Sequence, residues 1–235
     1  VAQSSSPAAV VINGGHHNTI GGCVIHSSTR SGVALIGGNH NRFVGNDVFD
    51  VPGHVISGMC PTDGDTSTCT ESNAQNLMPT NNLIGNNHFT QKVRRDFYGG
   101  IRLRGIGDRL SHNLAHDASG QYLTPSGPLT MIDSNEIFNT GYSEGDGGVM
   151  YSGMSLWGGY GMSYTRNFVH HSLEVPGLHG RGTFYFDGHQ QATSNVSLNV
   201  AYKAAGRAFL VNGGAKTNIT RNLIINSGIG IFNEN

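Results

Sequence analysis

The sequence predicts an all-β chain, a single-domain right-handed parallel β-helix of about eight coils with loop insertions. Three observations predict it: an asparagine-centred phrase that returns eight times, period-2 alternation of apolar and polar residues around it, and a glycine-rich, charge-poor composition. Of 235 residues, 35 are Gly and only 12% are charged, while 37% are hydrophobic. Such a chain is too rich in turn formers for a helical bundle and too apolar for a disordered chain.

Aligned on its asparagine, the phrase has anchors at Cys23, Asn46, Asn87, Asn113, Asn135, Asn167, Asn199 and Asn222. Three residues earlier stand Ile20, Phe43, Ile84, Leu110, Ile132, Tyr164, Val196 and Ile219; two later stand Ile25, Val48, Phe89, Ala115, Ile137, Val169, Ala201 and Ile224. All sixteen are apolar or aromatic, which predicts two short core-facing strands flanking each anchor. Successive anchors lie 23, 41, 26, 22, 32, 32 and 23 residues apart, so a unit of 22 to 23 residues recurs with additions. A leucine-rich repeat of similar length would carry a Leu consensus and a helix per unit.

Stacked coils bring identical amides to the strand spacing of about 4.8 Å, where each donates to the next. Asn also tolerates the left-handed backbone of a tight corner. Cys23, at the anchor position, is expected to be a buried, inert thiol. A further strand follows each corner and ends in Gly, as in Val33 to Gly37, Ile101 to Gly105, Val149 to Gly153 and Phe184 to Gly188. Eight coils make a rod on the order of 40 Å long.

The whole chain, 1–235, reads as one β-helix domain, with insertions near 60–80, 144–161 and 173–182. Neither end carries the polar cap that a solenoid needs, so the sequence is read as an excerpt of a longer chain, with end-to-end self-association through bare ends as the alternative. Cys60 and Cys69 close a polar loop and are read as a disulfide, which points to an oxidising compartment and a secreted or extracellular protein. A net charge of −1 gives no field that would draw nucleic acid. No apolar run reaches the roughly 18 residues of a membrane span. No ligand spacing resembles a metal site, the adjacent His170 and His171 being expected on opposite faces of a strand, and no cofactor is expected.

Function is expected on the outer face of the glycine-terminated strands, whose outward residues by alternation include Arg102, Arg104, Met150, Ser152, Tyr185, Asp187 and Asn212. A long polar face edged by aromatic loops suits an extended polysaccharide or glycan. Trp157, Tyr151 and Tyr185 would stack on sugar rings, with His179, His189, Arg181, Arg102 and Arg104 as polar contacts. Glycoside hydrolysis needs two carboxyl groups, and Asp146, in EGDGGVMY, and Asp187, in FYFDGH, stand near such strands in adjacent coils.

From about Asn113 to Ser227, the runs SNEIFNTG, EGDGGVMYSG, LWGGYGMSYTRNFVHH, HGRGTFYFDGH and TNITRNLIINSG resemble β-helix proteins of the glycoside hydrolase family 141 type. The resemblance implies a secreted glycosidase in which Asp146 and Asp187 are the catalytic pair. Relatives tend to carry a second Asp where this chain has Gly188, and Arg-Asp where it has Met154 and Ser155.

Two other readings stay open. One is a polysaccharide lyase in which Arg102 and Arg104 neutralise a uronate. The other is a non-catalytic structural, adhesive or filament-forming extracellular protein. Asn195 and Asn218 open two sequons at the same outward position of consecutive coils, and would be N-glycosylation acceptors in a eukaryotic source.

Overall fold

A computed structural model describes residues 8–59, 79–91, 100–118, 120–125, 127–141, 147–153, 160–173, 181–188, 194–213 and 216–234. These residues form a parallel β-helix: one nine-stranded and two eight-stranded sheets, each built from every third strand in chain order. Every strand pairing is parallel. Each coil therefore gives one strand to each sheet, and eight full coils are followed by a ninth strand, Ile229–Glu234. Among the described residues no helix is long and apolar enough to cross a membrane.

The flanking apolar positions form the core as the alternation requires. Thirteen of the sixteen are buried, and Ile20, Ile219 and Ile224, in the first and last coils, pack against them half-buried. From the nine-stranded sheet, Val33, Ile56, Ile101, Leu123, Met150, Phe184 and Phe209 fill the interior in register. Phe184 and Phe209 stack with centroids 4.7 Å apart.

The anchors form an unbroken amide ladder. Nδ2 of Asn46 donates to Oδ1 of Asn87 at 3.0 Å, and the pattern repeats through Asn113, Asn135, Asn167, Asn199 and Asn222 at 2.9–3.0 Å. The second amide hydrogen goes to a backbone carbonyl of the preceding coil, as from Asn135 to Leu110 at 3.0 Å. Each Oδ1 also accepts the backbone N–H of the preceding anchor, as from Asn113 to Asn135 at 3.0 Å. Nearly every polar atom of the row is satisfied without water, which is what makes burying it tolerable.

Three expectations are corrected. Cys23 is exposed rather than buried: it occupies the first described rung, where its backbone N–H donates to Asn46 Oδ1 at 2.9 Å and no earlier described coil covers its thiol. The left-handed corner residue is the one before each anchor, namely Gly22, Gly45, Asn86, His112, Ser134, Arg166, Leu198 and Arg221, and not the anchor. The anchor is chosen for its hydrogen bonds alone. Lastly, His170 and His171 do not point to opposite faces. His171 has φ of 51°, which breaks the strand alternation and brings the two Nδ1 atoms to 2.8 Å.

A second ladder, five residues ahead of the first, was not foreseen. Asn18 donates to Asn41 Oδ1 from both its backbone and its side chain, the backbone N–H of Asn41 donates to Asn82, and the backbone and side chain of Asn82 donate to Oδ1 of Asp108.

Candidate functional site

On the outer face of the nine-stranded sheet, strands Gly147–Gly153, Arg181–Asp187, Arg207–Asn212 and Ile229–Glu234 pair in sequence. Their register sets two outward rows. One runs Tyr151, Tyr185, Leu210, Phe232; the other runs Gly153, Asp187, Asn212, Glu234. Met150 and Ser152, expected to point outward, point inward with 1% and 2% exposure. The cause is that Gly153 is not a corner here but the last outward position of a seven-residue strand, so counting back from it puts the alternation one residue out.

Asp187 is the centre of the site. Its Oδ2 accepts the Tyr151 hydroxyl at 2.7 Å. Its Oδ1 accepts Asn212 Nδ2 at 2.9 Å and the backbone N–H of Gly188 at 2.8 Å. Three donors and an acceptor-only group is the hydrogen-bond pattern of an ionised carboxylate. Tyr151 reaches Asp187 because Gly153 has no side chain: a Cβ there would stand 2.4 Å from the Tyr151 hydroxyl oxygen and 2.6 Å from its Cζ. Tyr185 meets Tyr151 edge-on, with centroids 5.1 Å apart and planes at 79°, and accepts a long bond of 3.5 Å from Asn212. It is 4% exposed, so the Tyr185 ring supports Tyr151 instead of offering a sugar platform.

Glu234 was missed by the sequence reading. It stands on the Asp187 row, two coils on, with Asn212 between them, and is exposed. At the strand spacing the two α-carbons are about 9.6 Å apart. The signal was available in the alignment of YFD, LVN and FNE at equivalent strand positions.

Arg102 lies on the Tyr151 row, half-buried and opposite Thr124 and Ser57 in the adjoining coils. Arg104 follows the same strand, Gly100–Leu103, and is half-buried as well. Arg181 opens its strand opposite Gly147. Asp146, Trp157, His179, His189, Cys60 and Cys69 lie outside the described residues, as does half or more of each expected insertion. Gly147, which Asp146 precedes in the chain, is six strand positions from Gly153, the residue opposite Asp187, a span of about 20 Å. The geometry thus rests on Asp187 and its immediate neighbours.

Asn195 and Asn218 are a register pair on consecutive coils, both exposed. Elsewhere on that sheet Asp133, 2% exposed, accepts Thr165 Oγ1 at 2.7 Å and pairs with Arg166 at 2.5 Å and Arg109 at 3.5 Å. Burial alone would raise its pKa; the bond from Arg166, with help from Thr165 and Arg109, outweighs that and holds the carboxyl below its usual value.

Fold and site together define a parallel β-helix with a hydrogen-bonded carboxylate on the outer face of its longest sheet. No family model matches the chain, and no match is found among curated proteins or solved structures.

Proposed function

We propose that the chain is a secreted or extracellular glycoside hydrolase that binds a polysaccharide along the outer face of the nine-stranded sheet, with Asp187 as the ionised carboxylate. The observation that carries this reading is the geometry of Asp187, which accepts bonds from Tyr151, Asn212 and Gly188 at an outward strand position. The resemblance to the family 141 type, which assigns this residue to catalysis, supports it further.

Glu234 is the second carboxyl group in this proposal. A separation of two coils puts the α-carbons about 9.6 Å apart; inverting glycosidases hold their two carboxyl groups roughly 6.5–9.5 Å apart to leave room for a water, a spacing that side chains rooted two coils apart can adopt. Asp187 takes a proton from that water as its oxygen bonds the anomeric carbon; Glu234 gives a proton to the glycosidic oxygen as its bond to that carbon breaks. Asn212 stands between the two acids and separates like charges. Asp146 is the family-based alternative for the second carboxyl.

The test is hydrolysis of 4-nitrophenyl glycosides, and of plant, algal and host polysaccharides followed by reducing-end release. Asp187→Asn and Glu234→Gln should each cost at least 100-fold in kcat, with Asp146→Asn within a few-fold, and the first product should carry the inverted anomeric configuration by NMR. Full activity in Asp187→Asn defeats the reading; retention of configuration defeats the assignment of Glu234. A lyase reading is favoured by Arg102, which shares the Tyr151 row; it requires a product that absorbs in the ultraviolet, which hydrolysis does not give.

A further inference from the structure

The eight-stranded sheet that runs from Thr19–Gly21 to Asn218–Thr220 carries an excess of one charge sign on its outer face. Arg42 and Arg109 open their strands with the side chain outward, since the residue after each, Phe43 or Leu110, is buried in the core. Arg166 and Arg221 stand at the corner that leaves the sheet, and Lys216 at the corner that enters it. All five are exposed. The carboxylate among them is Asp133, 2% exposed and shared by Arg166 and Arg109. Asp108, just before Arg109, is buried in the second ladder. Among the described residues Arg42, Lys216 and Arg221 make no ion pair. The other eight-stranded sheet has the opposite balance: its strands and the residue after each hold Asp47, Asp50, Asp117 and Glu136 against Lys203. A net charge of −1 for the whole chain conceals this segregation.

The shape of the basic face limits what can lie on it. Its strands are three residues long, so it is about 10 Å wide, and eight coils make it about 34 Å long. A globular partner needs roughly 800 Å² on its side of an interface, more than twice this strip, whereas one extended chain laid along the rod fits it. The floor is low and polar: Gly85, Ser111, Thr165 and Ser197 belong to its middle row. The cations recur on alternate coils. Arg42 aligns with Arg109 through Leu83, and the strands that end before Arg166 and Arg221 are likewise two coils apart, a step of about 9.6 Å.

That step exceeds the Debye length of about 8 Å at physiological salt, so each cation holds its own anion and a polymer gains by engaging several at once. The cations are sparse beside the phosphates of duplex DNA, one per about 1.7 Å. No strand of the sheet turns an aromatic ring outward on which a base could stack. An acidic polysaccharide, with a carboxylate or sulfate on each sugar or on alternate sugars and hydroxyls for the Ser and Thr floor, meets both conditions.

We propose that this face binds an acidic polysaccharide along the rod axis, held by Arg42, Arg109, Arg166, Lys216 and Arg221. It is a second glycan-binding surface, on a different sheet from Asp187, and does not rest on the glycosidase reading. The test uses the full chain made in a bacterial host, where the Asn195 and Asn218 sequons stay bare, with polygalacturonate as the probe in biolayer interferometry at 50 mM NaCl with EDTA. The chain should bind polygalacturonate and not dextran, and 300 mM NaCl should weaken binding at least tenfold. Arg42→Glu/Arg221→Glu should weaken it at least tenfold. Arg30→Glu/Lys203→Glu, with the same change of net charge at exposed residues off this face, should stay within threefold. Equal thermal unfolding midpoints verify that the variants fold. In the unaltered chain, polygalacturonate should protect Arg42, Arg109 and Arg221 from phenylglyoxal, read by peptide mass, and leave Arg30 reactive, a readout that needs no variant. Absence of binding, equal binding of dextran, tighter binding of poly(dT), equal losses in the two double variants, or protection confined to Arg102 and Arg104 on the Asp187 sheet would each overturn the proposal.

Discussion

Asp108 occupies an amide's place. The short ladder Asn18–Asn41–Asn82 ends on its Oδ1, which accepts the backbone N–H of Asn82 at 2.9 Å and its side-chain amide at 3.1 Å. The residue is 1% exposed. Burial raises its pKa from 3.8 to about 6, although the bonds from Asn82 and the Gly105 backbone oppose the rise. The native state therefore holds a proton that the unfolded chain releases between those two values, so stability falls as pH climbs through this window and the loss is complete above about pH 6. By linkage the full effect is about 3 kcal/mol. Asp108→Asn keeps the acceptor oxygen and removes the charge. It should stabilise the fold by about 1–3 kcal/mol at pH 7.5, or roughly 3–10 °C in Tm, and by little at pH 4, where Asp108 is already neutral. Scanning calorimetry of both proteins from pH 4 to 8 isolates the effect, because every other carboxyl contributes alike to both. A difference in Tm that does not change with pH, or a variant less stable than the parent at pH 7.5, would refute the reasoning.

Other outcomes follow from the same structure. Asn135→Ala removes a buried side chain with two donors and two acceptor contacts and should cost about 3 kcal/mol or more, whereas Cys23→Ala, at an exposed site, should stay within about 0.5 kcal/mol; chemical denaturation compares them. Gly153→Ala puts a methyl group where the Tyr151 hydroxyl passes, so it should lower kcat as much as Tyr151→Phe does, on whichever glycoside is cleaved; a large loss in one variant with none in the other would break the link. Expressed through a eukaryotic secretory pathway, the chain should gain one N-glycan at the Asn195/Asn218 pair by intact mass, because the two side chains are one strand spacing apart, about 4.8 Å, too close for two glycans.

The coil was legible because it repeats: eight copies of one phrase average out local ambiguity, and apolar residues at anchor −3 and +2 leave only one inward face. Rows on the outer face were legible only where the corner was regular. Met150 and Ser152 were assigned to the wrong face since Gly153 extends its strand instead of ending it. His170 and His171 were misplaced because one left-handed residue suspends alternation, and nothing in the pair's identity announces it. The second ladder is hidden because only its first four rungs are Asn or Asp, and the later ones, Thr130, Met162, Ser194 and Thr217, carry neither an amide nor a carboxylate. Asp187 could be selected from the sequence, but its donors could not, as Tyr151 and Asn212 come from different coils and meet it only through register.

The uniform bonding of the long amide row has a bearing on how such a protein diversifies. Between Asn46 and Asn87 the chain spends 41 residues, and between Asn113 and Asn135 only 22, yet the amide contact is 3.0 Å in the first step and 2.9 Å in the second. The row works like a set of alignment pins. Whatever excursion a segment makes, it must deliver one asparagine to its seat, and every strand that follows is then phased as before. Added length thus costs little beyond a slowly growing closure entropy, and new surface can be tried out above the sheet without renegotiating the interior.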